Sequence, residues 1–502
     1  MSDKPANRNK QIPDTFFSGL ENLRVCVLQP DYSTSAVDYQ NYDPPRDLSG
    51  LMPSANFDHV SLNKLTTYNQ LKELKKKNYD IFVNLCEGYL EWEVPSIDVI
   101  YFLELLNLPF TGPSSLLYDP PKELMKYVAY TEGVSTPEYV LFEDKNDDIE
   151  KVCSKLQFPL FVKPHKAGDS LGVDSSSLVR NIDELKNKIS SIIEEYAPLL
   201  IEEYIEGREF TVMLAAGINE KEEPLVFHPV EYIFPEGFAY KTYSLKTSEL
   251  HPDANIPVAD MEICDRLKTS AQKIFAAFNG VGYGRLDFRM NDRGELFFLE
   301  INFTCSVFYK DGYEGSADYI LKYDGFGQAN FLKHIIKEGI ARHKRKQKKY
   351  YIKGSPIAGY GIYASENIRT NGLVFKGEEL SQRIITKRYV EENWNVNQKE
   401  IFKKYAYPLS KEVFLLWDNN PCEWAPQNHS CSPNTVYDGL NVIATRNILK
   451  GEELTLDYAS FLDENMESFN CQCGSPNCRG LITGIENNSV TEREDKPQLK
   501  LT

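Results

Sequence analysis

Residues Gly284–Asn302 read GRLDFRMNDRGELFFLEIN and predict a β-hairpin. Two runs rich in apolar residues flank the turn sequence NDRG, and Asn, Asp and Gly are the residues that tight turns favour. Side chains alternate faces along a strand, so Arg285 and Asp287 share one face of the first strand. For the same reason Glu300 and Asn302 share one face of the second. If these two faces coincide, a guanidinium, two carboxylates and an amide meet at one place.

This polar set indicates a site for a metal ion and a phosphate. Mg²⁺ binds hard oxygen ligands and keeps substrate phosphates in its coordination shell. The arginine would then contact phosphate or a developing oxyanion. A hairpin with a merely solvated polar face is the alternative for this stretch taken alone. The remaining apolar residues are expected to face a core: Leu286, Phe288, Phe297, Leu299 and Ile301.

Composition places the chain among ordinary globular proteins. Its 502 residues give room for roughly three or four domains. Hydrophobic residues make up 42% and charged residues 26%, and the net charge of −17 argues against a nucleic-acid partner. No apolar run reaches the ~18 residues of a membrane span, and the N-terminus lacks a signal-peptide core. We therefore expect a cytoplasmic protein without a membrane partner, whose 10 cysteines are thiols or metal ligands.

The pattern along the chain predicts a multidomain α+β protein. Strand–helix alternation over residues 21–112 is typical of an α/β domain with a parallel sheet. The next region, to about residue 340, has an α+β pattern, and a basic segment at 341–349 is interpreted as a solvated linker. A nuclear signal or a phosphate-contacting patch is the alternative for that segment. Disordered tails are expected at residues 1–20 and 484–502.

Five ordered segments carry a family resemblance: LPFTG, KELMKYVAYTEGVSTPEY, FPLFVKPHKAGDSLGV, LLIEEYIEGREFTVML and the opening hairpin. Through them, residues from about 80 to 335 resemble the D-alanine–D-alanine ligase branch of the ATP-grasp enzymes. The resemblance implies a three-part ligase, with an N-terminal α/β domain at 21–112 and ATP-grasp subdomains at 113–206 and 207–340. It also implies ATP- and Mg²⁺-dependent joining of a carboxylate to an amine through an acyl phosphate.

The same resemblance assigns roles to individual residues. It implies ATP-phosphate contacts for two lysines, a phosphate-covering loop, acceptors for the adenine amino group and the ribose, Mg²⁺ ligands, and two catalytic cations. The phosphate lysines are Lys122 and Lys163, and the covering loop is 166–172 with Ser170. The adenine acceptor is Glu202 and the ribose acceptor is Glu209. The Mg²⁺ ligands are Asp287, Glu300 and Asn302, and the catalytic cations are Arg285 and Lys246.

The departures from this family lie on the substrate side. The family begins with a Gly-Gly-x-Ser-x-Glu signature, whereas the chain here reads LQPDYSTSAVD. After its metal-binding Asn the family has Thr-x-Pro-Gly, whereas here Phe303–Val307 contains no Pro-Gly. Lys122 follows two prolines rather than Met-Asp. The acid and the amine therefore stay open, and D-alanine in particular is not supported.

A second set of motifs follows from residue 350. Cysteines in NHSCSPN and CQCGSPNC supply four thiolates, the number that a closed tetrahedral zinc site needs. A disulfide framework is the weaker alternative for a chain expected in the cytosol. The sequence therefore predicts structural Zn²⁺ at Cys431, Cys471, Cys473 and Cys478.

With the segments SPIAGYGIYASENI and GEELTLDYA, these motifs make residues 350–465 resemble a SET domain, followed by a post-SET zinc segment at 466–483. The resemblance implies an S-adenosylmethionine-dependent N-methyltransferase with Tyr458 beside the transferred methyl group. Residues 377–417 are expected to carry acceptor specificity, and Trp417 and Trp424 are expected to pack rather than line the channel. The implied cofactor contacts are Gly359, Tyr360, Gly361, Asn428 and His429.

We therefore expect a bifunctional enzyme: an ATP-grasp carboxylate–amine ligase joined to a methyltransferase with a lysine-like acceptor. Its expected partners are a small carboxylate and an amine, either an amino acid or a peptide, with a protein lysine as the alternative methyl acceptor. The ligase resemblance also implies a homodimer. Two other hypotheses stay open, namely a protein lysine methyltransferase with a regulatory ATP-binding module and a scaffold with both sites silent.

Overall fold

The structure is a computed structural model that describes residues 17–33, 43–87, 94–145, 147–166, 171–219, 221–237, 239–240, 254–378, 380, 382–417, 425–463 and 467–484. The chain divides into two compact units, Met1–Lys346 and Gln347–Thr502, which we call unit 1 and unit 2. Both mix helices with sheets, so the predicted multidomain α+β class is confirmed. Among the described helices none is long and apolar enough to cross a lipid bilayer.

Unit 1 begins with a parallel sheet in the strand order β2-β1-β3, as the alternating pattern predicts. Val25, Val27 and Ile81 of this sheet are fully buried. A short 3₁₀-helix covers Ser49–Leu51. The regular elements are β1 (Arg24–Pro30), β2 (Asn56–Leu62), α1 (Thr67–Lys75), β3 (Ile81–Asn84) and α2 (Ile97–Leu105).

A four-stranded antiparallel sheet follows, in the order β4-β7-β5-β6, after a 3₁₀-helix at Ser115–Leu117. One face packs against α5, whose buried residues include Leu185 and Ile189 at the i, i+4 spacing of a single helix face. The elements are α3 (Lys122–Thr131), β4 (Tyr139–Phe142), α4 (Ile149–Lys155), β5 (Leu160–Pro164), β6 (Leu178–Val179), α5 (Ile182–Tyr196) and β7 (Leu199–Glu203).

The third part of unit 1 is a six-stranded sheet in the order β11-β10-β8-β12-β13, with β9 paired to β8. Its buried side chains pack against α6, which is capped by the carboxylate of Asp260. The elements are β8 (Arg208–Ala215), β9 (Leu225–Val226), β10 (Val230–Tyr232), β11 (Asn255–Pro257), α6 (Met261–Ala277), β12 (Tyr283–Met290), β13 (Leu296–Asn302), α7 (Ser316–Asp324) and α8 (Gly327–Lys346).

The hairpin that dominates the sequence is formed by β12 and β13. Arg285 pairs with Asn302 and Asp287 with Glu300, which confirms that the two polar faces coincide. The buried positions predicted for Leu286, Phe288 and Ile301 are also confirmed.

The hairpin also contains a β-bulge, where the register shifts between Asp287 and Phe288. Phe288 consequently pairs with Phe298, and it is Phe298 that is fully buried. The prediction that Phe297 and Leu299 face the core is wrong, because the extra residue of the bulge reverses the alternation of β13.

Two predicted boundaries need correction. Leu20 is buried in the core, so the described end of the predicted N-terminal tail is ordered structure. The predicted linker at 341–349 overlaps α8, which extends to Lys346. Within it, Arg342 is buried and donates hydrogen bonds to the carbonyl oxygens of Phe110 and Gly112 at 2.7 and 2.8 Å. This guanidinium therefore ties α8 to the N-terminal sheet region instead of being solvated.

Unit 2 is built from short strands in small sheets: β14-β15-β23-β20, β16-β22-β21, β17-β19-β18 and β24-β25. A 3₁₀-helix covers Tyr458–Ser460. The elements are β14 (Tyr350–Gly354), β15 (Tyr360–Ala364), β16 (Leu373–Phe375), β17 (Gln382–Thr386), α9 (Lys387–Asn393), α10 (Val396–Tyr405), β18 (Tyr407–Pro408), β19 (Val413–Trp417), β20 (Asn428–His429), β21 (Thr435–Asp438), β22 (Asn441–Ala444), β23 (Glu453–Leu456), β24 (Phe469–Asn470) and β25 (Leu481–Ile482).

Candidate functional sites

The first site is a cavity in unit 1 whose wall comes from both the four-stranded and the six-stranded sheet. Six residues assigned from the sequence line it together, although they lie as much as 178 residues apart in the chain (122 to 300): Lys122, Lys163, Glu202, Glu209 and the hairpin pair Asp287 and Glu300. Ser170 and Lys246, which were also assigned to this site, lie outside the described residues.

A buried carboxylate lies between two ammonium groups at one end of the cavity. Lys163 Nζ is 2.6 Å from Glu202 Oε1, and Lys126 Nζ is 2.6 Å from Glu202 Oε2. Burial alone would raise the pKa of Glu202, but the charges of Lys126 and Lys163 outweigh it and hold that pKa below its ordinary value. Burial likewise opposes the charge of Lys163, but the carboxylates of Glu202 and Glu300 raise its pKa.

The hairpin carboxylates Asp287 and Glu300 also line the cavity. Lys122 Nζ is 3.5 Å from Glu300 Oε2, and Arg285 Nε is 3.6 Å from Asp287 Oδ1. Thr211 on the neighbouring strand β8 donates a 2.5 Å hydrogen bond to Asp287 Oδ1. The carboxylates of Asp287 and Glu300 thus occupy facing register positions, and their oxygen donors fit a hard cation such as Mg²⁺.

Asn302, the third predicted metal ligand, occupies the end of β13 opposite Arg285. Its Oδ1 accepts hydrogen bonds from the backbone N–H and the hydroxyl of Thr304 at 2.9 and 3.2 Å. An amide oxygen in this position can still bind a cation, because a carbonyl oxygen carries two lone pairs.

The side wall of the cavity is aromatic and contains a second arginine. The rings of Phe161 and Tyr240 meet edge to face, with centroids 4.9 Å apart. The guanidinium of Arg289 lies 4.6 Å from the ring centroid of Tyr204 and 4.0 Å from a carboxylate oxygen of Glu209. Flat apolar rings beside acceptors suit a nucleobase and its ribose better than they suit a simple sugar or an inorganic anion.

Three residues of this site were missed from the sequence: Lys126, Thr211 and Arg289. A signal for Lys126 was present, since it lies four residues after Lys122 and so on the same face of α3. Thr211 and Arg289 are linked to the site only by the pairing of β8 with β12, which places Thr211 opposite Asp287 and Glu209 opposite Arg289. That register is not visible in either strand alone.

The loop after β13, where the sequence departs from the ligase pattern, is held by a buried ion pair. An Nη of Arg46 is 2.9 Å from Glu87 Oε2, and the same atom donates to the Val307 carbonyl oxygen at 2.9 Å. The Tyr309 hydroxyl donates to Asp43 at 2.7 Å. Segments following β1 and β3 of the N-terminal sheet are thereby joined to the loop that leaves the metal-binding hairpin.

The second site lies in unit 2, around the glycine turn between β14 and β15. Gly359 has a φ of +47°, a left-handed conformation that glycine adopts without strain. A Cβ at Gly361 would lie 2.3 Å from Glu453 Oε1, so any other residue there would require the Glu453 side chain to move. Asn428 Nδ2 donates to Glu453 Oε1 at 2.9 Å and to the carbonyl oxygens of Ala358 and Tyr360 at 3.2 and 3.3 Å.

These contacts bring Gly359, Tyr360, Gly361 and Asn428 together, as the sequence predicts. Tyr360 itself is 60% exposed. Glu453, which joins the two predicted segments, was missed, although it lies in the quoted GEELTLDYA motif. The backbone carbonyls of Ala358 and Tyr360 and the carboxylate of Glu453 are acceptors, which is the type of group that binds an ammonium.

An aromatic cluster surrounds Tyr458. Its hydroxyl donates to the Gln427 carbonyl oxygen at 2.5 Å, and burial raises the pKa of Tyr458 to about 12. The ring centroid of Phe461 lies 5.8 Å from that of Tyr458 and 5.0 Å from that of Tyr437. Rings gathered in this way favour a cationic or methylated amine, since π faces attract such groups. Trp417 donates to the Gly377 carbonyl oxygen at 2.9 Å, which agrees with packing, and Trp424 lies outside the described residues.

The predicted zinc ligands form a single cluster. The sulfur atoms of Cys431, Cys471, Cys473 and Cys478 all lie within 4.8 Å of one another. Four thiols at this spacing fit a tetrahedral Zn²⁺ site. His429, which is buried, lies with Nε2 3.4 Å from Cys431 Sγ and accepts a hydrogen bond from the Tyr458 backbone N–H at 3.1 Å. The cluster is therefore linked through His429 to the tyrosine of the second site.

Comparison with known families agrees with the division into two units. Residues 128–307 match the family described as D-ala D-ala ligase C-terminus, and residues 359–459 match the SET domain. The chain therefore contains one region similar to the C-terminal part of D-Ala–D-Ala ligases and a second region similar to the SET domain. Most of the cavity residues lie inside the first match, whereas Lys122 lies just before it, as does Lys126, the partner of Glu202.

Individual relatives are similar to the first of these regions. The D-alanine–D-alanine ligase of Aquifex aeolicus is 29% identical over 202 residues, which is 40% of this chain and 64% of that protein, so the chain spans slightly less than two thirds of its length. The enzyme of Saccharophagus degradans is 32% identical over 204 residues, 40% of this chain and 60% of that protein. A solved D-alanine–D-alanine ligase from Bacillus anthracis, complexed with ATP, covers 65% of this chain and 100% of its own at 18% identity, with a TM-score of 0.48.

Proposed function

We propose that unit 1 is an ATP- and Mg²⁺-dependent ligase that joins a carboxylate to an amine. The observation that carries this proposal is the single cavity that brings the lysines 122 and 163 and the acceptors 202 and 209 against the hairpin carboxylates 287 and 300. Cations, nucleobase acceptors and metal-binding oxygens are the groups that phosphoryl transfer from a nucleotide requires. A D-alanine–D-alanine ligase activity is named for several relatives, but Phe303–Val307 of this chain departs from the Thr-x-Pro-Gly pattern of that family.

In this proposal the chain's own residues bind, orient and shield the reactants. Lys122 and Lys163 would bind the phosphates, and Glu202 and Glu209 would accept from the adenine amino group and the ribose. Mg²⁺, when held by Asp287, Glu300 and Asn302, would offset the charge of the phosphate oxygens.

The reaction has two steps. The substrate carboxylate attacks the γ-phosphorus, forming an acyl phosphate and releasing ADP. An amine nitrogen then attacks the acyl carbon, and phosphate leaves as the amide forms. Arg285, beside Asp287, would stabilise the oxyanion of the tetrahedral intermediate, with Lys246 as the second catalytic cation. Exclusion of water protects the acyl phosphate from hydrolysis.

For unit 2 we propose an S-adenosylmethionine-dependent methyl transfer to an amine nitrogen. The cradle formed by the backbone at 359–361, Asn428 and His429 would bind the methyl donor, and the four-cysteine cluster would hold a structural Zn²⁺. An unprotonated amine would form a bond to the methyl carbon as the C–S bond breaks, the thioether would leave, and the methylated ammonium would lose its proton to solvent. Orientation of the amine by Tyr458 would supply most of the acceleration. The rings around Tyr458 favour a lysine-like acceptor, either on a small molecule or on a protein.

The decisive experiment measures phosphate release from ATP and Mg²⁺ across a panel of amino acids and short peptides, with mass detection of the products. An Asp287→Ala protein is the blank, and Asp292→Ala, at the turn of the same hairpin, is the matched control. We expect release above the blank together with a new amide mass, and release at the wild-type rate from the control.

Adding S-adenosylmethionine to the same reaction tests the second activity, because a methylated ligase product would link the two units in one pathway. ATP binding without phosphate release for any pair would instead support a regulatory nucleotide module, and protein lysines would then be the acceptors to examine. The proposed ligase is refuted if ATP fails to bind the wild-type chain.

A further inference from the structure

We propose that Lys126 is a positioning residue that sets the nucleobase preference of unit 1, by holding Glu202 as an anionic acceptor for an exocyclic amino group. This inference rests on the proposed ATP-dependent function. It goes beyond that function because it assigns discrimination between nucleobases to Lys126, which is not among the described residues that line the cavity.

The first observation is the position of Lys126. It lies on the inner face of α3, and only 1% of its side chain is exposed. A buried lysine is costly unless its charge is paired, so a buried ammonium with one close carboxylate indicates a dedicated contact. That carboxylate is Glu202, 2.6 Å away, and the ring of Tyr139 lies 5.5 Å from the same ammonium nitrogen.

The second observation is how the two lysines divide the carboxylate. Lys163 Nζ lies 2.6 Å from Oε1 of Glu202 and Lys126 Nζ lies 2.6 Å from Oε2, so each carboxylate oxygen has its own ammonium neighbour. Lys163 and Glu202 line the cavity, whereas Lys126 approaches from behind. Lys163 can therefore contact a ligand directly, but Lys126 can act on a ligand only through Glu202.

The consequence follows from hydrogen-bond chemistry. An ionised carboxylate only accepts hydrogen bonds, whereas a protonated carboxyl can also donate one. An ionised Glu202 therefore favours a base with an amino group at C6, as in adenine, and disfavours a base with a carbonyl at C6. Without Lys126, the buried carboxylate keeps only one close cation, and burial then favours its protonated form.

Inosine triphosphate is the matched probe, because it has a carbonyl where ATP has the C6 amino group and the same triphosphate. We would titrate the full chain with each nucleotide in the presence of Mg²⁺ and follow the ratio of the two dissociation constants. For Lys126→Met, which keeps chain length but removes the charge, we expect the preference for ATP to fall between about 5-fold and about 100-fold. This is the range expected when one buried polar group loses its partner.

The matched control is Lys188→Met. Lys188 is equally buried, and its ammonium binds the Gly172 carbonyl oxygen and Asp174 Oδ1, each at 3.0 Å. Any loss of packing or charge at that position should change binding of both nucleotides by the same factor. Lys126→Arg, which keeps the charge, should retain most of the preference for ATP.

A measurement on the unaltered chain covers the case in which Lys126→Met does not fold. The groups facing Glu202 are Lys126 on α3, Lys163 on β5 and Tyr139 on β4, with the carboxylates of Glu209 and Glu300 acting on the two lysines. Burial lowers the pKa of Lys126, whereas the carboxylates of Glu202 and Glu300 raise that of Lys163. Because a fall in pH can only add charge to the two lysines, the preference for ATP over inosine triphosphate should hold or rise from pH 8 to pH 5. Titration of the phosphates affects both ligands and cancels in the ratio.

Two results would overturn the inference while leaving the ligase proposal intact. One is an equal change in both dissociation constants for Lys126→Met, which would mean a purely structural role. The other is a wild-type ratio that falls as the pH drops from 8 to 5, which would mean that Glu202 is not held ionised. Failure of wild-type ATP binding would refute the proposed function itself, so the two failures are distinguishable.

Discussion

Each unit has a site organised around one carboxylate, and the two carboxylates are held in different ways. Glu202 in unit 1 is held by the ammonium groups of Lys126 and Lys163. Glu453 in unit 2 accepts from the neutral donors Ser355, Asn428 and Tyr363, at 2.7, 2.9 and 3.1 Å. Both carboxylates hold a segment of the chain that is proposed to face a ligand. Only Glu202 is surrounded by more positive than negative charge.

The difference follows from the ligands that the two sites are proposed to bind. A triphosphate carries several negative charges, so a carboxylate near it must be outweighed by cations. A methyl donor with a sulfonium and an ammonium group carries positive charge, and excess lysine would repel it. Neutral donors hold Glu453 in place without cancelling its charge, and the aromatic cluster around Tyr458 extends this cation-tolerant surface.

Loss of the zinc cluster should produce the largest difference between the two units, because unit 2 would lose its metal site whereas unit 1 is stabilised by apolar cores and ion pairs. For Cys473→Ser we expect loss of bound zinc and at least about a 100-fold loss of methyl transfer, because a structural zinc site contributes directly to folding. ATP binding by unit 1 should be unchanged. Metal analysis of the purified chain and both assays measure this.

Cys153→Ser is the control, because Cys153 is a half-buried thiol on α4, outside the cluster. It should retain zinc and both activities. One zinc per chain in the Cys473→Ser protein would contradict the assignment of the four thiols.

The next largest effect should come from Tyr458→Phe. We expect methyl transfer to fall about 100-fold, because the hydroxyl that bonds the Gln427 carbonyl would no longer orient the amine, while ATP-dependent phosphate release is unaffected. The raised pKa of Tyr458, about 12, means that its phenol stays protonated throughout the range from pH 7 to 10. The rise of rate with pH should therefore report the acceptor amine and keep its shape in the variant.

Tyr351→Phe provides the comparison, because Tyr351 is partly exposed and stacks on Tyr363, with ring centroids 5.8 Å apart. It should retain the rate. A change in the midpoint of the pH profile for Tyr458→Phe would mean that the phenol itself titrates during catalysis.

Contacts between residues of one motif were predicted from the sequence more completely than contacts between residues of distant segments. The pairing of Asp287 with Glu300 was predicted because alternation within one hairpin determines it. The clustering of the four cysteines was predicted from their number and their chemistry as zinc ligands, although Cys431 lies 40 residues before Cys471. Lys126 and Glu453 were missed although both lie in quoted segments, because their significance depends on partners 76 and 25 residues away. A local pattern carries no information about such partners.

The bulge in the hairpin illustrates the same limit. Strict alternation predicts Phe297 in the core, but the inserted residue places Phe298 there. Nothing in the composition of the strand marks the shift, since both residues are phenylalanine. The register of a strand depends on how its apolar residues and those of its neighbours are buried together. The sequence of one strand therefore does not determine it.

A smaller effect on methyl transfer is expected for Glu453→Gln. This variant tests whether Ser355, Asn428 and Tyr363 need both carboxylate oxygens of Glu453 as acceptors. One amide oxygen must then serve the three donors that Glu453 now satisfies, so the orientation of Asn428 should loosen. We expect the KM for S-adenosylmethionine to rise about 10-fold, with kcat within about 2-fold, because binding rather than chemistry is disturbed.

Calorimetric titration with S-adenosylmethionine measures the same effect without turnover. The adjacent Glu452→Gln is the matched control, since Glu452 instead pairs with Arg446 at 2.7 Å. It should bind S-adenosylmethionine normally. Equal weakening in both variants would show that the segment, rather than the Glu453 contacts, determines affinity.

The smallest effect is expected for Thr211→Val, which removes one neutral hydrogen bond from the charged site of unit 1. The hydroxyl of Thr211 donates to Asp287 at 2.5 Å, and valine preserves its shape. Loss of one such bond should raise the Mg²⁺ concentration for half-maximal phosphate release by about 2-fold to 10-fold. Thr269→Val, at an exposed position on α6, should leave it unchanged. If Thr211→Val lowers phosphate release as much as Asp287→Ala does, then the hydroxyl itself must bind the metal ion, and not only orient the carboxylate. The site of unit 1 would then depend on a neutral hydroxyl, as the contacts of Glu453 in unit 2 do.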